Sequence, residues 1–164
     1  MPDIIEVAQE LQAQIGKEYG RRVSLPVDKS SIRLWAIGTR WPEPPKRLYW
    51  DEEYAKKTPS QGIIAPPGFN PFAYHVDEER MQGPSSYGLL RTGEGNRGIN
   101  AGGEATYHAP IRPGDVITSV SKIVEVSNLK TTRLGHSVFV ITETRWTNQK
   151  GELVRVYRGM GMRY

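Results

Sequence analysis

Three histidines, His75, His108 and His136, are the first place to look for chemistry, because imidazole is the side chain most easily made a base or a metal ligand near neutral pH. None lies three or four residues from another, so no single helix presents a pair of ligands, and no metal site is expected. His136 opens a strand-like run and reads as a surface residue, and His75 falls in a polar helical turn. His108, in "ATYHAPIRPGD", stands between an apparent strand and a tight turn and reads as structural ahead of functional. The carboxylates Asp51, Glu52 and Glu53 are consecutive, and a helix sends consecutive side chains in different directions. They cannot converge on one substrate as a general acid and base must. A solvated helix face is expected there, with Glu53 four residues before Lys57. No serine sits in a nucleophile elbow.

"GEGNRG" places Gly93, Gly95 and Gly98 in the spacing of a dinucleotide fingerprint. That fingerprint needs a helix after it, to bring a helix N-terminus to the pyrophosphate. "INAGGEATYHAP" follows instead, too glycine-rich and strand-like for a helix, so a loop beside a sheet edge is the expectation.

Composition narrows the classes further. The chain has 164 residues, the size of one domain with a single core, and residues 1–164 are expected to form one domain. It has no cysteine, which excludes disulfides, thiolate metal sites and a cysteine nucleophile. The N-terminal "MPDIIEVAQELQAQIG" mixes Glu and Gln with its aliphatics, unlike a secretory signal, and no apolar run is long enough to span a membrane. A cytoplasmic protein without membrane attachment is expected. The net charge of +4 is dispersed, with acids beside bases in "KEYGRR" and "EEYAKK", so no nucleic-acid partner is expected. A mild positive balance suits a small polyanionic ligand.

The elements that must position any site are helices first and strands after. Ile4, Val7, Ala8, Leu11 and Ile15 repeat at helical spacing, with Pro2 and Asp3 at the start and Gly16 or Gly20 at the end. "RRVSLPV" reads as a short strand or link. Asp28, Ser30 or Ser31 caps a second helix, "SIRLWAIG", with Ile32, Trp35 and Ala36 on one side. "TRWPEPPK" cannot be regular, because its prolines lack the amide hydrogens that helix and ladder require. "RLYWDEEYAKK" reads as one short helix, "GIIAPPGFNPF" as a packed-down loop, and "AYHVDEERM" as one or two helical turns. From Tyr87 onward the pattern becomes strand. "VITSVSKIVEV", "HSVFVITETRWT" and "ELVRVYRGMGM" alternate, and "NQKG" joins the last two as a hairpin with Gly151 free to take positive φ. This order gives an α+β fold with helices packed on one antiparallel sheet.

Two stretches carry a resemblance. "AIGTRWPEPPKRLYWDEEYAKKTPSQGIIAPPGF" and, later, "GGEATYHAPIRPGDVITSVSKIVEV" with "SVFVITETRWTNQKGELVRV" resemble the MaoC-like dehydratases, the second stretch including the "H-x-P-x-x-x-GD" turn. The resemblance runs from about Val23 to Val156. It implies a hotdog fold, an antiparallel sheet wrapped around a helix. It also implies chemistry on trans-2-enoyl or 3-hydroxyacyl thioesters of coenzyme A or an acyl carrier protein, with no cofactor beyond the coenzyme A of the substrate. Active members carry an Asp and a His in a motif resembling D-x-N-P-x-H, just before the aspartate that matches Asp51. Laid on this chain, the motif puts Tyr49 at the histidine and Thr39 or Arg40 at the aspartate, with a longer spacer between.

Neither replacement can serve at neutral pH. A phenol with a pKa near 10 is a poor base, and threonine or arginine cannot polarise water as a carboxylate does. The resemblance therefore implies the non-catalytic half of a two-hotdog hydratase, with no catalytic residue of its own and with the catalytic hotdog expected as another polypeptide. Arg97, Asn100, Gly102, Gly103, His108 and Arg112 are the expected substrate and coenzyme A contacts, Gly98 also permitting close approach. Two other readings stay open. One is a self-sufficient homodimeric hydratase or thioesterase, with His108 as the fallback base beside Glu104, His75 and Asp77. The other is an acyl-CoA-binding protein without turnover.

Overall fold

Val7, Ala8 and Leu11 share one stripe of the first helix, α1 (Ile4–Ala13), and all three are buried. They meet Ile123, Val138 and Val140 from the sheet, and burying a valine or leucine side chain contributes about 1.5–3 kcal/mol, the Ala8 methyl less. The computed structural model describes residues 4–73, 81–82 and 97–164. The expected helical turns around His75, and residues 87–96 of the expected strand region, lie outside the described residues apart from Met81.

After α1 the chain forms β1 (Glu18–Val23) and α2 (Lys29–Arg40). Asp28 is the residue that caps α2, its side chain accepting from the Ser31 amide at 2.8 Å. A 3-10 turn (Arg47–Tyr49) and α3 (Glu52–Lys56) follow, then β2 (Met81–Gln82), β3 (Gly98–Tyr107), β4 (Thr118–Val126), β5 (Lys130–Thr132), β6 (Gly135–Thr147) and β7 (Leu153–Arg163). Among the described residues the main sheet is antiparallel, in the order β2-β1-β4-β6-β7-β3, and β5 pairs with β6.

Two apolar clusters lie on one face of this sheet. The first joins α1 to Ile123, Val138 and Val140. The second joins Ile32 of α2 and Ala55 of α3 to Ile63, Ala65, Phe69, Ile111, Ile117, Trp146 and Val154. "GIIAPPGFNPF" is thus packed down, because Ile63, Ala65 and Phe69 are core residues. Helices on one face of a curled antiparallel sheet are the hotdog arrangement. Among the described residues no helix is long and apolar enough to cross a membrane.

Three expectations need correction. "RLYWDEEYAKK" is not one helix: it breaks at Trp50, where Asp51 turns its carboxylate back to cap α3 by accepting from the Tyr54 amide at 3.0 Å. An acid with both a capping target three residues on and an arginine four residues back does better outside the helix than in it. Glu53 accordingly pairs with Lys56 at 3.1 Å, and Glu52 with Lys29 at 2.6 Å. The uniform alternation of "VITSVSKIVEV" also fails. The register shifts between Ile123 and Glu125, so Ile117, Ser119 and Ile123 face inward and then Val126 takes over. A bulge adds one residue and so exchanges the two faces. Finally, Met81 lies in a strand paired with Arg22 rather than in a helical turn.

Candidate functional site

The segment from Thr39 to Asp51 runs off the end of α2 through a cis Trp41–Pro42 bond and the proline loop into the 3-10 turn. Thr39 spends its hydroxyl on the preceding helical turn, donating to the Trp35 carbonyl at 2.9 Å. Arg40 reaches outward and binds Glu43 at 2.6 Å. Tyr49 is half-buried and packs with Leu48, Trp35 and Phe72 against the second core cluster. Its ring is a packing element beside the edge-on pairs Trp35–Phe69 and Phe72–Trp146. Asp51 has its two oxygens occupied by the Tyr54 amide and by Arg47, at 2.6 Å from Nη2. The α3 amide and then Arg47 hold its carboxyl below the ordinary 3.8. None of these groups holds an acid and a base facing a common space.

The expected contact residues are strung along β3 and the turn after it. Arg97 precedes the strand, with its carbonyl accepting from the Tyr164 amide, and its position is exposed. Asn100 receives the Gly102 amide on its side-chain oxygen at 3.0 Å, closing a bulge in which Gly102 takes φ +115. Of the glycines expected to admit a ligand, only Gly102 has open space where a side chain would stand. The space over Gly98 is taken by Arg163, and that over Gly103 by the ring of Tyr157. His108 is exposed just past the strand, its amide bonded to the Val154 carbonyl.

Arg112 lies in the turn closed by buried Asp115, which accepts the Arg112 amide at 2.7 Å and Gln149 at 3.1 Å. The "GD" of that turn therefore holds the backbone. Arg97 stands just before ten-residue β3, about 30 Å of extended strand, and Arg112 in the turn past its far end, so they lie at opposite ends of that strand. Glu104 and His108 stand about 13 Å apart along the strand and do not converge. His75 and Asp77 lie outside the described residues. Among the described residues no three His, Asp or Glu side chains gather as metal ligands.

Two features offer a ligand or a partner a place. One is a groove of about 410 Å³ on the inner sheet face, lined by Leu11, Asn100, Ile123, Val140, Thr142 and Tyr157 among others. The other is β3 itself. It pairs only with β7 among the described residues and is exposed over almost its whole length, leaving a row of backbone donors and acceptors along one edge.

Sequence reasoning missed two clusters. On the outer face, buried Glu143 binds Arg145 at 2.8 Å and Arg158 at 3.0 Å, with Lys122 at 3.8 Å. On the inner face, Arg155 stacks on Trp146, Tyr157 and Tyr107. The "NQKG" hairpin alone would set Val154 opposite Trp146, and a register shift between Trp146 and Thr147 brings Arg155 there instead, so no sequence signal marked the second cluster.

Comparison with known proteins extends this picture. The family model described as "FAS1-like, dehydratase domain region" matches residues 13–156. A curated protein of Thermomonospora curvata, named a probable enoyl-CoA hydratase alpha subunit, is 29% identical over 168 residues, covering 95% of this chain and 51% of that protein. The chain thus spans about half the length of that relative. A chain of the ChsH1–ChsH2 complex from Mycobacterium tuberculosis superposes with a TM-score of 0.70 at 21% identity, covering 98% of this chain and 95% of that one. The MaoC-like dehydratase from Rhodospirillum rubrum gives 0.59 at 20% identity, with 92% of each chain covered. At such identities the two structures show a shared fold.

Proposed function

The chain belongs to the FAS1-like dehydratase-region family of MaoC-like hotdogs, and from that premise we propose that it is the non-catalytic subunit of a heteromeric enoyl-thioester hydratase or 3-hydroxyacyl-thioester dehydratase. The observation that carries this reading is the fate of the Thr39–Asp51 segment. Thr39 is bonded to its own helix, Arg40 to Glu43 and Asp51 to a helix end and Arg47, while Tyr49 packs against the core. Hydration needs one group to hold and deprotonate water and another to pass a proton at the α-carbon. This segment has neither.

A second hotdog unit with an intact acid–base pair supplies that chemistry. It adds its sheet along β3, whose second edge is unpaired among the described residues. The relative named an alpha subunit and the similarity to a chain of a two-protein complex support a partnered unit. This chain's share is then shape and positioning. The inner-face groove gives room for an acyl chain, and Asn100, on its wall, and the open backbone at Gly102 stand along the thioester path. Coenzyme A enters as part of the substrate, with Arg97 or Arg112, but not both, on a given phosphate.

The experiment is hydration of crotonyl-CoA and a longer enoyl-CoA by the purified chain alone, by a hotdog subunit carrying D-x-N-P-x-H, and by the mixture. Turnover that needs both chains supports the proposal. Turnover by this chain alone refutes it and moves the search for a base to His108.

A further inference from the structure

Among the described residues Arg155 is a cation without a counter-charge. It lies on the inner face of β7, opposite Tyr107 of β3 on one side and Trp146 of β6 on the other. Its Cζ is 4.6 Å from the Trp146 ring centre, 5.2 Å from that of Tyr157 and 5.8 Å from that of Tyr107. Three aromatic rings thus crowd one guanidinium, and that is a stable seat for a cation. Tyr157 keeps its place in the seat because Gly103 and Gly159 beneath it have no side chains, which lets the ring lie against the sheet.

What the seat lacks is an acceptor. Arg155 Nε is buried and, among the described residues, has no hydrogen-bond partner. Among the described residues no carboxylate pairs with this guanidinium, and the nearby buried acid, Glu143, is held on the opposite sheet face by Arg145, Arg158 and Lys122. A buried donor left unpaired costs free energy, and folded proteins keep few of them without a reason. The guanidinium is half-buried, with Nε covered, and the ring beside it toward the sheet edge, Tyr107, is 49% exposed. With Nε covered, the remaining N–H donors of this half-buried guanidinium, beside exposed Tyr107, are the ones that suit a carboxylate or phosphate group.

We propose that Arg155, seated among Trp146, Tyr157 and Tyr107, is a binding site for an oxyanion, carboxylate or phosphate, presented at the β3 edge. The oxyanion comes either from a free anionic ligand or from an acidic side chain of a second hotdog chain paired along β3. The ligand form of the site does not depend on the hydratase reading and would hold for a chain of any activity.

The test is a side-chain NMR titration of the ¹⁵N-labelled chain, following the Arg155 Nε–H signal, assigned by its absence in Arg155→Gln, and the Trp146 indole. Inorganic phosphate and sodium acetate are titrated against sodium chloride at matched ionic strength, and a D-x-N-P-x-H hotdog subunit is added in a separate arm. A saturable shift with phosphate or acetate, weakened about tenfold in Arg155→Lys, establishes the free-anion source. A shift seen only with the second subunit, and lost when its acidic residues facing β3 are changed to amides, establishes the partner source. Signals that move no more with any of the three than with chloride overturn the site. Whether the site binds is read on the unaltered chain, and Arg155→Lys, followed by the Trp146 indole, attributes the shift to this guanidinium. Failure of the hydration experiment together with a saturable phosphate shift would leave this site standing and remove only the subunit reading.

Discussion

Replacing Glu143 by glutamine probes the charge cluster on the outer face of the sheet. The carboxylate is 3% exposed and sits between Arg145 at 2.8 Å, Arg158 at 3.0 Å and Lys122 at 3.8 Å. Glutamine keeps the size, so no cavity forms, but it leaves cations facing a neutral amide. Hydrogen bonds to charged groups contribute about 1.5–3 kcal/mol each; the amide oxygen of glutamine keeps one arginine partner in weakened form and the other bond is lost. Both arginines are 56% exposed, so water screens them and replaces part of what is lost. The net expectation is a destabilisation of about 2 kcal/mol at pH 7.

The pH dependence has a definite sign. The hydrogen bond from Arg145 leads, with Arg158 and Lys122 adding, in holding the folded carboxyl below its ordinary 4.5 against the opposing effect of burial. A carboxyl lowered on folding stabilises above its unfolded value and loses that contribution as pH falls through the lowered one. The gap between the parent chain and Glu143→Gln should therefore be constant from pH 7 to about 5 and close as the pH drops below 4.5. Urea denaturation followed by tryptophan fluorescence at a series of pH values measures it. A gap under about 0.5 kcal/mol at pH 7, or one that widens on acidification, refutes the reasoning.

Other expectations are simpler. Gly103→Ala would bring a methyl to 2.7 Å from Tyr157 Cζ and 2.8 Å from the Arg158 carbonyl, and should cost about 1–3 kcal/mol in a thermal melt. Asp28→Ala removes the cap of α2 and should cost about 1 kcal/mol in the same assay, with Asp28→Asn recovering most of it. Tyr49→His should leave the isolated chain without hydration of crotonyl-CoA, because no carboxylate stands at Thr39 or Arg40 to work with it.

What could be read ahead of the structure was local. The Asp28 cap depends on a side chain and an amide three residues apart, and the Gly151 turn on one backbone angle, φ 79. The two-block order of helices and strands, and with it the hotdog resemblance, rested on patterns within single elements. The break at Trp50 escaped because helix propensity and the capping pull of Asp51 compete over the same residues. The β4 bulge escaped because a strand pattern does not say where a partner shifts register. The groups around Glu143 and Arg155 are gathered from β3, β4, β6 and β7, so register had to be known before they could be seen together. At the candidate site the resemblance set Tyr49 at the motif's histidine position, whereas the bonding of Thr39 and Arg40 was not legible.

The central claim is that this chain shapes a site and does no proton transfer. The most direct measurement is the turnover of a reconstituted complex in which this chain carries both Tyr49→Phe and His108→Ala, compared with one in which only the catalytic subunit's motif histidine is changed to alanine. Tyr49→Phe keeps the ring in its packing, and His108 is exposed. The account predicts kcat within about twofold of the unaltered complex for the first and a loss of at least about a hundredfold for the second. A hundredfold loss from the change in this chain, with its fold intact, would contradict it.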